Sequence, residues 1–213
     1  MNKSIKMSNS SMKREIISGW GQTNKSTSII IKPHNLEQIN EVILSSNSKS
    51  IIARGLGRSY GDAAQIRDNY VIDMINFSQI SLDLSTGILT AGAGVTFEKL
   101  LQYIVPKGFF LPVSPGTKYV TVGGAISADV HGKNHHKEGS FANYVEEISF
   151  MDGNGEMHTI NKTDLSISEN NDYFWAFIGG MGLTGLLIEA KFKLKKISTS
   201  FIKVDTKRFN DLD

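Results

Sequence analysis

The stretch Ser50-Ile51-Ile52-Ala53-Arg54-Gly55-Leu56-Gly57-Arg58-Ser59-Tyr60-Gly61-Asp62 decides how the chain is read. Ser50 to Ala53 is a β-rich run that leads directly into a glycine cluster. Glycine has no Cβ, so backbone N–H groups beside it can approach an anion closely, and left-handed conformations cost little. Arg54 and Arg58 place positive charge in the same loop. Two uses fit such a segment: a tight turn that serves only the fold, or a cradle for a phosphate-bearing ligand.

Two further clusters favour the cradle. Pro115-Gly116-Thr117 is followed by Thr121-Val122-Gly123-Gly124, which opens a helix expected to run through Asp129. A helix N-terminus beside an anion contributes about 0.3–1 kcal/mol per exposed charge. Gly179-Gly180-Met181-Gly182-Leu183-Thr184-Gly185 forms the third cluster. Separate amide-rich loops at Gly55–Gly61 and Thr121–Gly124 can hold one diphosphate between them. A Rossmann fingerprint fits poorly, because Gly55, Gly57 and Gly61 are spaced G-x-G-x-x-x-G and Ser59 to Asn69 lacks an apolar helical face. No G-x-x-x-x-G-K-[ST] string is present.

His131-Gly132-Lys133-Asn134-His135-His136, close to Asp129, leaves three readings open. It could be a metal cluster, a polar loop that anchors backbone groups, or a helix end that touches a cofactor. No second carboxylate-rich segment completes a ligand set, so no metal is expected.

Composition removes other classes. Lys plus Arg is 23 and Asp plus Glu is 21, a net charge of +2 in 213 residues, which gives no field for nucleic acid. Cys is 0, which excludes disulfides, thiolate nucleophiles and Cys-ligated metals. Met1 to Lys13 lacks the apolar core of a signal peptide, and no stretch approaches the length of a membrane span. A cytoplasmic location is the default expectation.

Along the chain, Ser28–Lys32 reads as a strand stopped by Pro33. Asn35 with Gln38 reads as a capping box ahead of the helical positions Leu36, Ile39, Val42 and Ile43. Tyr70–Met74 and Gln79–Leu84 read as strands, and Thr86-Gly87 as a turn. Thr96 starts a helix with Phe97, Leu100, Leu101 and Ile104 on one face, ended by Pro106 and Gly108. Val145–Met151 and Glu156–Ile160 flank Asp152-Gly153-Asn154-Gly155, a hairpin signal. Asp172–Phe177 reads as a short aromatic helix, and Leu186–Ile197 as a long strand with Lys191, Lys193 and Lys195 opposite Phe192 and Leu194. Short strands with few helices imply an α+β fold of two packed lobes. The expected division is a loose N-terminal tail at 1–27, a first lobe at 28–85 and a second at 86–197. The polar-apolar alternation at 198–213 reads as the first strand of a further domain.

The Ala53–Asp62 string resembles the first phosphate-binding loop of the vanillyl-alcohol oxidase/p-cresol methylhydroxylase (PCMH) class of FAD-binding domains. Pro115-Gly116-Thr117 and Thr121 to Ile126 resemble its second loop. Ala128 to His136, Gly139-Ser140-Phe141, Phe174-Trp175-Ala176 and Gly182 to Gly185 narrow the likeness to the decaprenylphosphoryl-β-D-ribose oxidases and related aldonolactone oxidases. The likeness runs from about Ile29 to Ile197.

The resemblance implies a two-lobed PCMH-type domain with FAD between the lobes and a C-terminal cap domain that this chain lacks. Arg54, Gly55, Leu56, Gly57, Arg58, Ser59, Tyr60 and Gly61, with Thr121, Val122, Gly123 and Gly124, would surround the diphosphate. Gly116, Asp129, Val130, His131 and Leu187 would contact other parts of FAD. Class members with covalent flavin often carry His where Arg58 stands, so non-covalent FAD is implied here. So is oxidation of a sugar hydroxyl by hydride transfer, with His131 and Lys133 nearest the substrate and Tyr60 near the ring. No catalytic base is named. A small-molecule or lipid-linked sugar and an electron acceptor are the implied partners, with a partner reductase and attachment at the inner membrane surface left open. A truncated flavin-binding module without turnover, or an aldonolactone oxidase-type enzyme, is the alternative.

Overall fold

The computed structural model of the chain describes residues 12–46, 50–163 and 172–211. Its first sheet begins earlier than the sequence suggests. Strand β1 (Met12–Ser18) pairs antiparallel with β2 (Lys25–Ile31), in register from Met12 opposite Ile31 to Ser18 opposite Lys25. Much of the expected loose tail at 1–27 is therefore a hairpin, and residues 1–11 lie outside the described residues. Helix α1 (Leu36–Ser45) follows. Asn35 caps it by accepting the Gln38 N–H at 3.0 Å, while the Gln38 side chain accepts from His34 N–H at 2.7 Å. The reciprocal bond of the capping box thus falls one residue before the cap. Strands β3 (Ile51–Arg54) and β4 (Tyr70–Asp73) complete the sheet in the order β1-β2-β4-β3, with β4 parallel to both its neighbours.

The second sheet is antiparallel. It contains β5 (Ile80–Asp83), β6 (Ile88–Gly92), β8 (Val145–Met151), β9 (Met157–Asn161) and β10 (Leu186–Lys193), in the order β5-β6-β10-β8-β9. Because β5 belongs here, the division between lobes falls before Ile80, not at residue 85. Two short strands, β7 (Phe109–Phe110) and β11 (Lys195–Lys196), pair separately. The long strand expected at Leu186–Ile197 is thereby split between two sheets. Lys193 and Lys195 are exposed while Phe192 and Leu194 are buried, as the alternation requires. Residues 198–211 form no strand, contrary to expectation, and Phe201, Ile202, Val204 and Phe209 are exposed.

Helix α2 (Phe97–Ile104) shows why the apolar pattern works. Thr96 accepts the Lys99 N–H at 3.2 Å, and Phe97, Leu100 and Ile104 face the core. Gly108, with φ 79°, takes the left-handed conformation that lets the chain turn into β7. Phe97, Phe141 and Phe192 form a ring chain with centroids 5.5 and 5.1 Å apart. Each such pair adds about 0.5–1.5 kcal/mol beyond burial.

One core joins both lobes. Ile31, Ile39, Val42 and Ile72 from the first pack in the same cluster as Leu89, Val95, Phe97 and Phe192 from the second. The opposite face of the first sheet has its own small cluster of Ile30, Ile52 and Val71. Asn40 of α1 also donates to the Gly155 carbonyl at 2.7 Å, tying the first lobe to the β8–β9 turn. Helices α3 (Val122–Ser127), α4 (His135–Glu138) and α5 (Asp172–Phe177) complete the regular elements. No helix among the described residues is long and apolar enough to cross a membrane.

Candidate functional site

The glycine loop after β3 and the threonine before α3 meet at the junction of the two sheets. A cleft of about 540 Å³ lies between them, lined by Gly55 to Ala64 on one side and by Val120, Thr121, Gly124 and Val130 on the other. A recess of about 70 Å³ shares Gly55, Ser59, Thr121 and Gly124 with the cleft and extends to Arg54, Gly123 and Leu187. The two bends expected to converge do converge.

The two loops contribute differently. Among the described residues, no N–H from Gly55 through Gly61 donates to a protein acceptor. An unpaired amide in a partly buried loop costs free energy unless water or a ligand satisfies it. A run of them along one concave loop is a donor set suited to an anion. In the second loop three of the four amides already have partners, and the Thr121 N–H has none among the described residues. Val122 N–H goes to Val95 O at 2.8 Å, Gly123 N–H to Ala93 O at 2.9 Å, and Gly124 N–H to Thr121 Oγ1 at 3.2 Å. Val122 is fully buried. Val122, Gly123 and Gly124 thus spend their amides on the fold, and the Thr121 N–H stays free beside the first loop.

Both arginines line the site and are also tied to the fold. Arg54 Nη2 donates to Ser18 O at 2.7 Å and its Nη1 to Ala64 O at 3.0 Å, behind the loop. Burial pushes its pKa down, and the carboxylate of Asp73 opposes that shift. Its guanidinium is thus tethered to the hairpin and to Ala64 while Arg54 also lines the recess. Gly57, with φ 63°, passes over this guanidinium, where a Cβ would lie 2.1 Å from Nη2. Arg58 donates from Nε to Tyr119 O at 3.1 Å, and its guanidinium lies 4.2 Å from the centre of the Trp20 ring.

Gly61 and Gly116 provide a separate fit test. Neither has a left-handed φ, and a Cβ on either would meet nothing within 4 Å. Neither backbone conformation nor internal packing requires glycine at these positions, and the open space at Gly61 adjoins the acceptor-free amides. The donor chemistry and the free space fit the diphosphate of a dinucleotide.

The remaining expected site residues scatter more widely. Leu187 lines the recess and Val130 the cleft. The Asp129 carboxylate is engaged in holding the Ala142 N–H at 3.0 Å. His131 is exposed, bridges to Ser140 through its backbone, and has its ring 5.2 Å from that of His135. Gly116 lies in another cavity of about 600 Å³, with Pro112, Lys133 and Phe201. Ala63 and Ala64 also line the cleft, although the sequence did not single them out; Ala128 and Met181 line it too, and neither was expected at the cofactor. Small side chains flanking a glycine cluster are the signal that could have found the alanines.

Among the described residues, the carboxylate and imidazole groups that do cluster are Asp152, Glu156 and His158, on the β8–β9 hairpin. Asp152 is engaged there with the N–H groups of Asn154 and Glu156, and with His158 at 3.1 Å. The His131–His136 string forms no such group.

Comparison with known proteins agrees with this geometry. The chain is 38% identical over 199 residues to decaprenylphosphoryl-beta-D-ribose oxidase of Mycolicibacterium smegmatis, covering 92% of this chain and 42% of that protein. It is 25% identical over 169 residues to a D-lactate dehydrogenase of Archaeoglobus fulgidus, covering 78% and 38%. The solved structure of Physcomitrella patens BBE-like 1 superposes with a TM-score of 0.75 at 21% identity, covering 84% of this chain and 39% of that one, which shows the shared fold. The chain spans about two fifths of the length of these relatives. A family model described as FAD binding domain matches residues 27–161. With its acceptor-free amides beside a ligand-sized cleft, the chain belongs to the FAD binding domain family, with FAD as its cofactor.

Proposed function

We propose that this chain is the FAD-holding part of an oxidoreductase that oxidises a sugar hydroxyl. When bound, FAD supplies a hydride acceptor. The chain's own residues bind and orient it. The N–H groups of Gly55 to Gly61 take the diphosphate oxygens, and the Arg54 charge behind the loop lowers the cost of gathering negative charge there. Thr121 and Gly124 form the facing wall, and Leu187 closes the recess. Binding is non-covalent: Arg58 offers no nucleophile, and its guanidinium is held between Trp20 and the Tyr119 carbonyl. His131 and Lys133 are assigned to the substrate side, and Gly116 shares a cavity with Lys133.

The acceptor-free amide run carries this reading. The 38% identity to a ribose oxidase favours a sugar as substrate. Titration of the purified chain with FAD, followed by flavin fluorescence and calorimetry, should show saturable binding of one FAD, and a chain that binds none overturns the reading. Anaerobic mixing of the FAD-loaded product of the whole gene with sugar alcohols and with 2-hydroxy acids tests the substrate. Flavin bleaching by the hydroxy acids alone would replace the sugar assignment.

A further inference from the structure

The turn between β1 and β2 lies outside the residues that match the family model, yet it is built against the cofactor loop. Trp20 N–H donates to Ser59 O at 2.6 Å, and Ser18 O receives Arg54 Nη2. Gly19 and Gly21 pack flush on the loop. A Cβ on Gly19 would lie 2.1 Å from Gly61 O and 2.5 Å from Ser59 O, and one on Gly21 would lie 2.8 Å from Tyr60 O. The turn thus lies against three successive carbonyls, those of Ser59, Tyr60 and Gly61.

In a planar trans peptide the C=O of one residue and the N–H of the next point in opposite directions. Fixing those carbonyls toward the hairpin directs the N–H groups of Tyr60, Gly61 and Asp62 away from it. The Trp20 ring adds a second hold on the same loop through Arg58, which in turn reaches Tyr119. Hairpin, donor loop and facing wall are linked through one guanidinium.

We propose that the Gly19-Trp20-Gly21 turn is a positioning element that aims the donor loop at the diphosphate of FAD. The proposal rests on the FAD reading above. A preorganised loop avoids the cost of ordering its donors on binding. Loosening the turn should therefore weaken binding even when the fold survives.

The test uses the full chain with Gly19→Ala, Trp20→Ala and, as a control on the same hairpin, the exposed Ile16→Ala. FAD affinity is measured by calorimetry, folding by circular dichroism and melting temperature, and diphosphate geometry by the phosphorus NMR shifts of bound FAD. Gly19→Ala and Trp20→Ala should each weaken FAD by about tenfold or more, near 1.4 kcal/mol. Their phosphorus shifts should move toward those of free FAD, and Ile16→Ala should match the unaltered chain. Trp20→Ala removes the ring's hold on Arg58 while sparing Gly19, so it reports even if Gly19→Ala fails to fold. Unchanged affinity and phosphorus shifts in a folded Trp20→Ala overturn the proposal while leaving the FAD reading intact. Failure of the unaltered chain to bind FAD overturns both.

Discussion

Gly55 and Thr121 sit so close that a Cβ on Gly55 would lie 2.2 Å from Thr121 Oγ1 and 2.9 Å from its Cγ2. This is where the first lobe's glycine loop touches the cap of α3.

Gly55→Ala should therefore destabilise the fold by about 1–3 kcal/mol, the usual cost of overpacking. Thr121→Ala alone should cost about 1 kcal/mol through the lost α3 cap. Combined, the two should cost less than their sum, because the second change removes what the first collides with. Urea unfolding of the four proteins measures the coupling, and strict additivity would contradict the contact.

Gly61→Ala should behave in the opposite way. Nothing lies within 4 Å of the added methyl, and φ needs no glycine. Stability should hold or rise by about 0.4–1 kcal/mol through the less flexible unfolded chain. FAD affinity should nevertheless fall by about tenfold or more, because the methyl enters the space beside the donor amides. Denaturation and FAD titration on one sample separate these outcomes.

Asp83 should give a clean acid titration. The hydroxyls of Ser85 and Thr86, together with the Ser85 N–H, hold its pKa down at about 2 against an ordinary 3.8. A carboxylate depressed in the fold contributes stability above its unfolded value and loses it as pH falls through the folded one. The stability gap between the unaltered chain and Asp83→Asn should thus be constant above about pH 4 and close toward pH 2. Carbon NMR of the Asp83 carboxyl reads the midpoint directly.

Tyr144 should titrate late in alkali. Its hydroxyl donates to Glu138 at 2.5 Å, and Glu138 also pairs with Lys195 at 2.9 Å. That hydrogen bond, then burial and the negative charge, push the Tyr144 pKa up to about 12 from 10.0. The folded state holds this proton more tightly, so the contribution is complete below pH 10 and is lost as pH rises through 12. Ultraviolet titration should show a late phenol that is absent in Tyr144→Phe.

The elements legible from sequence were those whose signal is local. The Thr96 cap with Phe97, Leu100 and Ile104, the Asp152-Gly153-Asn154-Gly155 hairpin, and Asp172–Phe177 all follow from spacing within a few residues. Strand β1 was not legible, because an edge strand reading Met-Lys-Arg-Glu-Ile-Ile-Ser buries too little to show an alternation. The glycine loop was identified by composition. Which of its amides stay free depends on peptide orientation, and that is imposed by Trp20 and Gly19, some 40 residues earlier in the chain. Arg54 and Arg58 carried the right charge for an anion site, but residue type does not reveal that both guanidinium groups are held by carbonyls of the fold.

Strand β10 is the last long strand in sequence and lies between β6 and β8 at the centre of its sheet. During synthesis on a ribosome, β5–β6 and β8–β9 emerge as separate hairpins with no ladder joining them. The second lobe can close only after Lys193 has cleared the exit tunnel, which leaves apolar edges waiting for their partner and makes this stage the natural point for chaperone engagement.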